Sequence, residues 1–174
     1  MNRRGELDVI VVGAGIAGSA MALALVRDGY EVALIEARPP PAWNVDDEVD
    51  ARVVALAADA VDLFDDLGVW ADVVAARASP YQRMSVWDAL APGKLEFNSA
   101  DRGEAALGWI VENRLLQHVL WLSLSKAVEN GSSLRLHCPA QVMSVSNEVQ
   151  GVAVELADGT RLRSRLLIAA DGAN

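Results

Sequence analysis

Apolar residues recur in two rhythms along the chain, one of helices and one of strands. Residues 8–12 form a short β-branched run of the kind found in buried parallel strands. Residues 16–28 then favour a helix, with Gly29 as its stop, and residues 31–35 form a second apolar strand. A helix is expected over residues 53–67, closed by Gly68, with residues 71–77 extending the helical region until Ser79-Pro80 breaks it. Strands follow at 83–87, 94–97 and 108–111, the first two joined by a turn at Ala91-Pro92-Gly93. A long helix is expected over 113–130, with Leu116, Leu120, Leu124 and Val128 as its core stripe and Gly131 as its end. Residues 134–137 read as a strand returning to the parallel sheet. Residues 140–145, 152–156 and 161–165 alternate like an antiparallel meander, with a hairpin turn at Asp158-Gly159. A last buried strand at 166–170 delivers Asp171-Gly172 to its carboxyl end, where open α/β sheets bind ligands. The expected fold is α/β: a Rossmann-like parallel sheet with a crossing antiparallel β-meander.

Composition narrows the possibilities. With 52% hydrophobic residues over 174 positions, the chain can bury a core and is not disordered. Its 15 basic and 24 acidic side chains leave a net charge of −9, which offers no footprint for nucleic acid. A lone cysteine, Cys138, excludes an internal disulfide framework and suits a reducing, cytoplasmic compartment. It reads as a small buried residue rather than a reactive thiol. The two histidines, His118 and His137, lack partners at metal-ligand spacing, so neither a metal site nor a His-based triad is expected. Arg3 and Arg4 before the uncharged run 9–26 resemble a signal peptide or short membrane span. Glu6, Asp8, the glycines and the change of rhythm within the run argue instead for an uncleaved, non-spanning N-terminus.

Those glycines carry chemistry. Gly13-Ala14-Gly15-Ile16-Ala17-Gly18 lies between a strand and a helix, and Glu36 ends the next strand eighteen residues beyond Gly18. Gly13 allows the tight turn, Gly15 lets a pyrophosphate approach the backbone, and Gly18 lets helix and sheet come close. The helix N-terminus offers N–H groups to phosphates, and Glu36 can accept from the two hydroxyls of an adenosine ribose. A carboxylate there would repel a ribose 2′-phosphate, which favours FAD or NAD over NADP. The bland alternative is a strand–helix turn without a ligand. Arg52 follows an acidic stretch at 46–50, most simply a solvated loop, and either pairs with Asp50 or serves a ligand. Trp87, Phe97 and Trp109 either line a pocket or fill a core, and core packing is the commoner role.

Taken together, these residues resemble the N-terminal part of the single-component flavoprotein aromatic hydroxylases. Within them the chain is most similar to the ubiquinone-biosynthesis branch, the 2-octaprenyl-phenol and 2-octaprenyl-6-methoxyphenol hydroxylases. The resemblance runs from Val11-Val12 and the glycine turn through Glu36-Ala37-Arg38 and Arg52. It continues in Leu67-Gly68-Val69-Trp70 and Leu107-Gly108-Trp109-Ile110-Val111-Glu112-Asn113, and ends at Ala170-Asp171-Gly172. It implies an FAD-dependent monooxygenase that uses NAD(P)H and O2 to hydroxylate a prenylated phenol, working in the cytoplasm or peripherally at the inner membrane face. By the same resemblance Gly13 to Gly18 hold the pyrophosphate, Glu36 the adenosine ribose, and Ala37, Arg38 and Arg52 further parts of the cofactor. Arg52 would lie along the ribityl-flavin side. Asn113 or the adjacent Arg114 would contact the pyrophosphate region, Val142 the adenine through its backbone, and Asp171 both FAD and the reducing nucleotide. No catalytic base is identified.

The family continues past its Asp-Gly with a Ser and an Arg, a substrate sheet and a second Gly-Asp motif. Residues 1–174 are therefore expected to be the N-terminal portion of an FAD-binding domain, with 79–112 supplying strands of an incomplete substrate domain. Such a fragment should self-associate and be inactive. The rival readings are another flavoprotein of this architecture, such as a soluble-aromatic hydroxylase or a prenyl reductase, an NAD-dependent dehydrogenase, and a non-enzymatic folded fragment that only associates with itself or a partner.

Overall fold

β-Branched residues and leucine make the first strand, β1 (Leu7–Val12), which the chain leaves through Gly13 into helix α1 (Ile16–Arg27). There follow β2 (Val32–Ile35), β3 (Val53–Leu56), α2 (Ala58–Asp66), α3 (Trp70–Arg77), β4 (Ala78–Tyr81), β5 (Arg83–Trp87) and β6 (Lys94–Asn98). After a 3-10 turn at Ser99–Arg102 come β7 (Gly108–Glu112), α4 (Asn113–Glu129), β8 (Leu134–His137), β9 (Val142–Glu148), β10 (Gly151–Leu156) and β11 (Arg161–Ala169). The structure, a computed structural model, describes residues 7–90 and 92–172. Arg3, Arg4, Glu6 and the turn residue Ala91 lie outside them.

The chain forms two compact units, residues 1–42 with 117–174, and residues 43–116. The first is built on a six-stranded sheet in the order β8-β2-β1-β11-β10-β9. Its first four strands are parallel, and β11-β10-β9 are antiparallel. Alternation along the strands divides their side chains between two faces. Val9, Val11, Val32 and Leu34 pack with Ala22 of α1 and Leu124 of α4. Ile10, Ala33 and Ile35 face the other way and pack with Val154 and Leu156 of β10. The meander expected to cross the sheet thus covers its second face.

It is also hydrogen-bonded into that sheet. Residues 161–165 and 166–170, expected as two strands, are one strand, β11, whose start pairs with β10 and whose end pairs with β1. The pattern changes at Ser164 because the partner changes there.

The second unit holds a three-stranded sheet in the order β3-β7-β4 and a two-stranded hairpin, β5-β6. Three expectations need correction here. Residues 53–56 are a strand, not the first turn of a helix, because they pair antiparallel with Glu112–Trp109. Ser79-Pro80 does not merely break a helix but lies in β4, an edge strand whose only partner among the described residues is β7; an edge tolerates a proline because one side of it needs no N–H donor. Trp87 and Phe97 are not core residues: they are 69% and 45% exposed on the hairpin. Trp109 does pack, edge-on against Trp70 with ring centres 5.4 Å apart.

In α4 the buried face is Leu115, Leu116, Val119, Leu120 and Leu124, whereas Val128, expected to join it, is exposed in the last turn. Residues 9–26 divide between β1 and α1, and no helix among the described residues is long and apolar enough to cross a membrane.

Candidate functional site

The site forms where β1, β2 and β11 end together. Gly13 N–H donates to the Ile35 carbonyl (2.8 Å) and Ala170 N–H to the Val12 carbonyl (2.7 Å), so the glycine turn is clamped between the two neighbouring strand ends. Gly13 has φ +99°, and a Cβ there would lie 2.4 Å from the Ala170 carbonyl oxygen. A Cβ on Gly18 would lie 1.9 Å from the Gly13 oxygen. Both positions exclude a side chain for internal reasons.

Gly15 is different. It caps α1 in an extended conformation, nothing lies within 4 Å of a Cβ placed on it, and no side chain caps the helix. The N–H groups that begin α1, from Ile16 and Ala17 onward, are left for a ligand. Ser19, which the sequence did not single out, is buried and donates from Oγ to the Ala14 carbonyl (3.1 Å), bracing the turn from within.

Glu36 sits across from this turn. Its Oε2 accepts from Ala14 N–H at 2.6 Å and its Oε1 from Arg38 N–H at 3.0 Å. Each carboxylate oxygen retains acceptor capacity after one such bond. Gly13, Ala14, Gly15, Glu36, Arg38, Ala170, Asp171 and Gly172 line an open cavity of about 520 Å³. Pro39, Pro40, Pro41 and Gln117 complete it and went unremarked in the sequence. The prolines form a wall without N–H donors. Gln117 lies one turn into α4 from Asn113, and only that spacing could have pointed to it. A second cavity of about 340 Å³ lies against Val12, Gly13, Glu36, Ala37, Arg38, Val142 and Asp171. Gly13 to Gly18, Glu36 to Arg38, Val142 and Asp171 are therefore brought together in the first unit.

The remaining expected residues, Arg52, Asn113 and Arg114, lie in the second unit. Arg52 N–H donates to Asp50 Oδ1 (2.9 Å), and its carbonyl accepts from Asn113 N–H (3.0 Å). Asp50 thus meets the Arg52 backbone, and no ion pair joins it to the Arg52 guanidinium among the described residues. The Asn113 side chain is buried, and Arg114 lies 3.8 Å from Asp47.

Beside Glu36, burial pushes the Cys138 thiol up, and the Glu36 charge adds to this, so the thiolate is disfavoured. Burial likewise lowers the neighbouring His137, against an opposing pull from Asp158. Its Nε2 is buried without a hydrogen-bond partner among the described residues. A histidine that is harder to protonate when folded binds fewer protons than in the unfolded chain. Its contribution to stability is therefore complete above its ordinary value of 6.5 and is lost as pH falls through the lowered folded value. Thermal melts from pH 7.5 to 5 should show this loss, and His137→Gln should flatten it. An unchanged slope in the variant would show that His137 is not the group responsible.

A glycine turn between strand and helix, with an acid at the end of the next strand and a cavity between them, defines a dinucleotide-binding site. A family model described as an FAD binding domain matches residues 6–174, and the chain belongs to that family. Its members bind FAD, and the open space over Gly15, the uncapped α1 terminus and the Glu36 carboxylate suit that cofactor. The 3-demethoxyubiquinol 3-hydroxylase of Escherichia coli is 34% identical over 167 residues, covering 96% of this chain and 41% of that protein. The ubiquinone hydroxylase UbiL of Rhodospirillum rubrum is 31% identical over 165 residues, covering 95% and 37%. The chain thus spans about two-fifths of the length of these relatives and is homologous to FAD-dependent monooxygenases. The crystal structure of p-nitrophenol 4-monooxygenase PnpA from Pseudomonas putida has the same fold, with a TM-score of 0.70 at 18% identity, covering 97% of this chain and 41% of that one.

Proposed function

We propose that this chain is the FAD-binding portion of a monooxygenase that hydroxylates the ring of a prenylated phenol. The observation that carries the cofactor half is the convergence of Gly15, Glu36 and Asp171 on one cavity at the strand ends. The substrate half is supported by the relatives, which are named for ubiquinone and demethoxyubiquinol. The α1 N-terminus would hold the pyrophosphate, Glu36 the adenosine ribose and the Val142 backbone the adenine. Arg38 and Gln117, both on the first cavity, would flank the phosphates, and Asp171 would meet FAD and the reducing nucleotide. Arg52 would lie along the flavin, with Asn113 or Arg114 toward the pyrophosphate. Bound FAD, reduced by NAD(P)H, supplies the activation of O2. The protein's task is then to bind, orient and exclude water, so no side-chain nucleophile is needed. Strands within residues 79–112 would belong to a substrate domain. Because a prenyl tail resides in the bilayer, the protein would work from the cytoplasm in peripheral contact with the inner membrane face.

Turnover of the whole protein under 18O2, with a prenylated and an unprenylated phenol, tests this reading. One labelled oxygen in the ring of the prenylated phenol is expected. Preference for the unprenylated phenol would favour a soluble-aromatic hydroxylase. Nicotinamide turnover without bound flavin would favour a dehydrogenase. The 174-residue chain alone is expected to bind FAD weakly, to hydroxylate nothing, and to run larger than its 18.5 kDa on a sizing column. Trp87, Leu90 and Leu95 project from the hairpin, and Met143 and Val145 are exposed on the edge strand β9, both routes to self-association. A monomeric chain with hydroxylase activity would refute that expectation.

A further inference from the structure

Glu112 is the only charged side chain among the described residues that is buried, at 4% exposure. Its carboxylate gathers three donors. Arg77 Nη1 donates to Oε1 at 2.9 Å, while Asp50 N–H (3.1 Å) and Trp43 Nε1 (3.4 Å) donate to Oε2. Arg77 extends the cluster: its Nη2 donates to the Val45 and Asp47 carbonyls, and its guanidinium lies 5.4 Å from the centre of the Trp43 ring. A segment rich in acidic residues, with no helix or strand of its own, is thus tied down at Trp43, Val45, Asp47 and Asp50 by one ion pair between buried Glu112 and half-buried Arg77.

What this segment leads into gives the cluster its meaning. Two residues after Asp50 comes Arg52, whose N–H is held by the Asp50 carboxylate and whose carbonyl is held by Asn113 N–H. Next, Val53 pairs directly opposite Glu112 in the β3–β7 ladder. The Arg52 backbone is therefore fixed from both sides, by Glu112 through Asp50 and by the residue that follows Glu112. Its side chain remains exposed.

We infer that Glu112 is a positioning residue for Arg52: by anchoring the 43–50 segment it fixes the peptide that carries the Arg52 guanidinium. This rests on the reading that Arg52 contacts FAD. A buried charge is an exacting anchor, because removing its charge leaves Arg77 partly enclosed with no counter-ion and frees the segment.

The test is a double-mutant cycle in the whole protein, Glu112→Gln, Arg52→Ala and both together, read by FAD titration and by amide hydrogen exchange of the unliganded protein. Glu112→Gln should speed exchange over residues 44–52 while leaving that of β1 and α1 unchanged. It should weaken FAD binding about tenfold, and the double variant should bind no more weakly than Arg52→Ala alone. If Glu112→Gln weakens binding by the same factor with and without Arg52, Glu112 does not act through Arg52 and the inference fails. If exchange over 44–52 is unchanged, the anchor itself is refuted. If Arg52→Ala leaves FAD affinity unchanged while exchange at 44–52 rises in Glu112→Gln, the anchor stands and the flavin role of Arg52 is what falls. Arg77→Met, which cuts the same ion pair from its other side, should reproduce the exchange pattern even if Glu112→Gln folds poorly.

Discussion

Gly18→Ala should cripple folding, whereas Gly15→Ala should fold and fail to bind. The added Cβ at Gly18 meets the Gly13 oxygen at 1.9 Å, a backbone atom that cannot swing aside. Either α1 moves off the sheet or the turn opens, and overpacking of this kind costs about 1–3 kcal/mol or more. Gly13→Ala adds backbone strain at φ +99° to a 2.4 Å contact with the Ala170 oxygen, so its cost should reach roughly 3 kcal/mol. Against a total stability of about 5–15 kcal/mol, either change lowers the melting temperature markedly. Gly15 has an ordinary extended backbone, φ −68° and ψ −175°, and empty space where a Cβ would go. Gly15→Ala should therefore melt within about 1 kcal/mol of the parent. Its methyl group would fill the open space proposed for the pyrophosphate, and FAD affinity should drop at least about tenfold. Calorimetry and an FAD titration on the three variants separate these roles. A Gly15→Ala protein that binds FAD like the parent would show that the pyrophosphate does not lie over this turn.

The glycine turn was legible because local chemistry dictates it. Gly13, Gly15 and Gly18 stand at fixed offsets between one strand and the helix that follows it, Glu36 ends the next strand, and the turn lies where their spacing implies. What stayed hidden depends on distant partners. Residues 53–56, Val-Val-Ala-Leu, run without a breaker into helical residues, and only pairing with Glu112–Trp109 makes them a strand. Pro80 signals a break in any local reading, yet β4 accepts it because its free edge asks for no donor. Val128 continues an i, i+4 series on α4, but the helix outlasts the surface it covers. In the site, Gln117 and the three prolines line the first cavity without matching a motif. The Glu112–Arg77 pair joins residues 35 positions apart, so no spacing rule could have disclosed it.

Glu36→Ala should lower FAD affinity about ten- to a hundredfold, the worth of roughly 1.5–3 kcal/mol for a hydrogen bond to a charged group. Glu36 bonds Ala14 N–H within the glycine turn and Arg38 N–H on the rim of the cavity, so its loss loosens both walls of that cavity. Those two bonds also stabilise the free protein, so the substitution should lower the melting temperature as well. The two effects can be told apart with Glu36→Gln. The amide keeps the length of the side chain and one acceptor oxygen, but its NH2 would face one of the two backbone donors and carries no charge for a ribose hydroxyl. Its melting temperature should fall between those of the parent and the alanine variant, while its FAD affinity should stay close to that of Glu36→Ala. Should either variant bind FAD as tightly as the parent despite a lowered melting temperature, Glu36 serves the turn alone and the ribose is held elsewhere. Should affinity fall with the melting temperature unchanged, the backbone bonds contribute little and the carboxylate is present chiefly for the ligand.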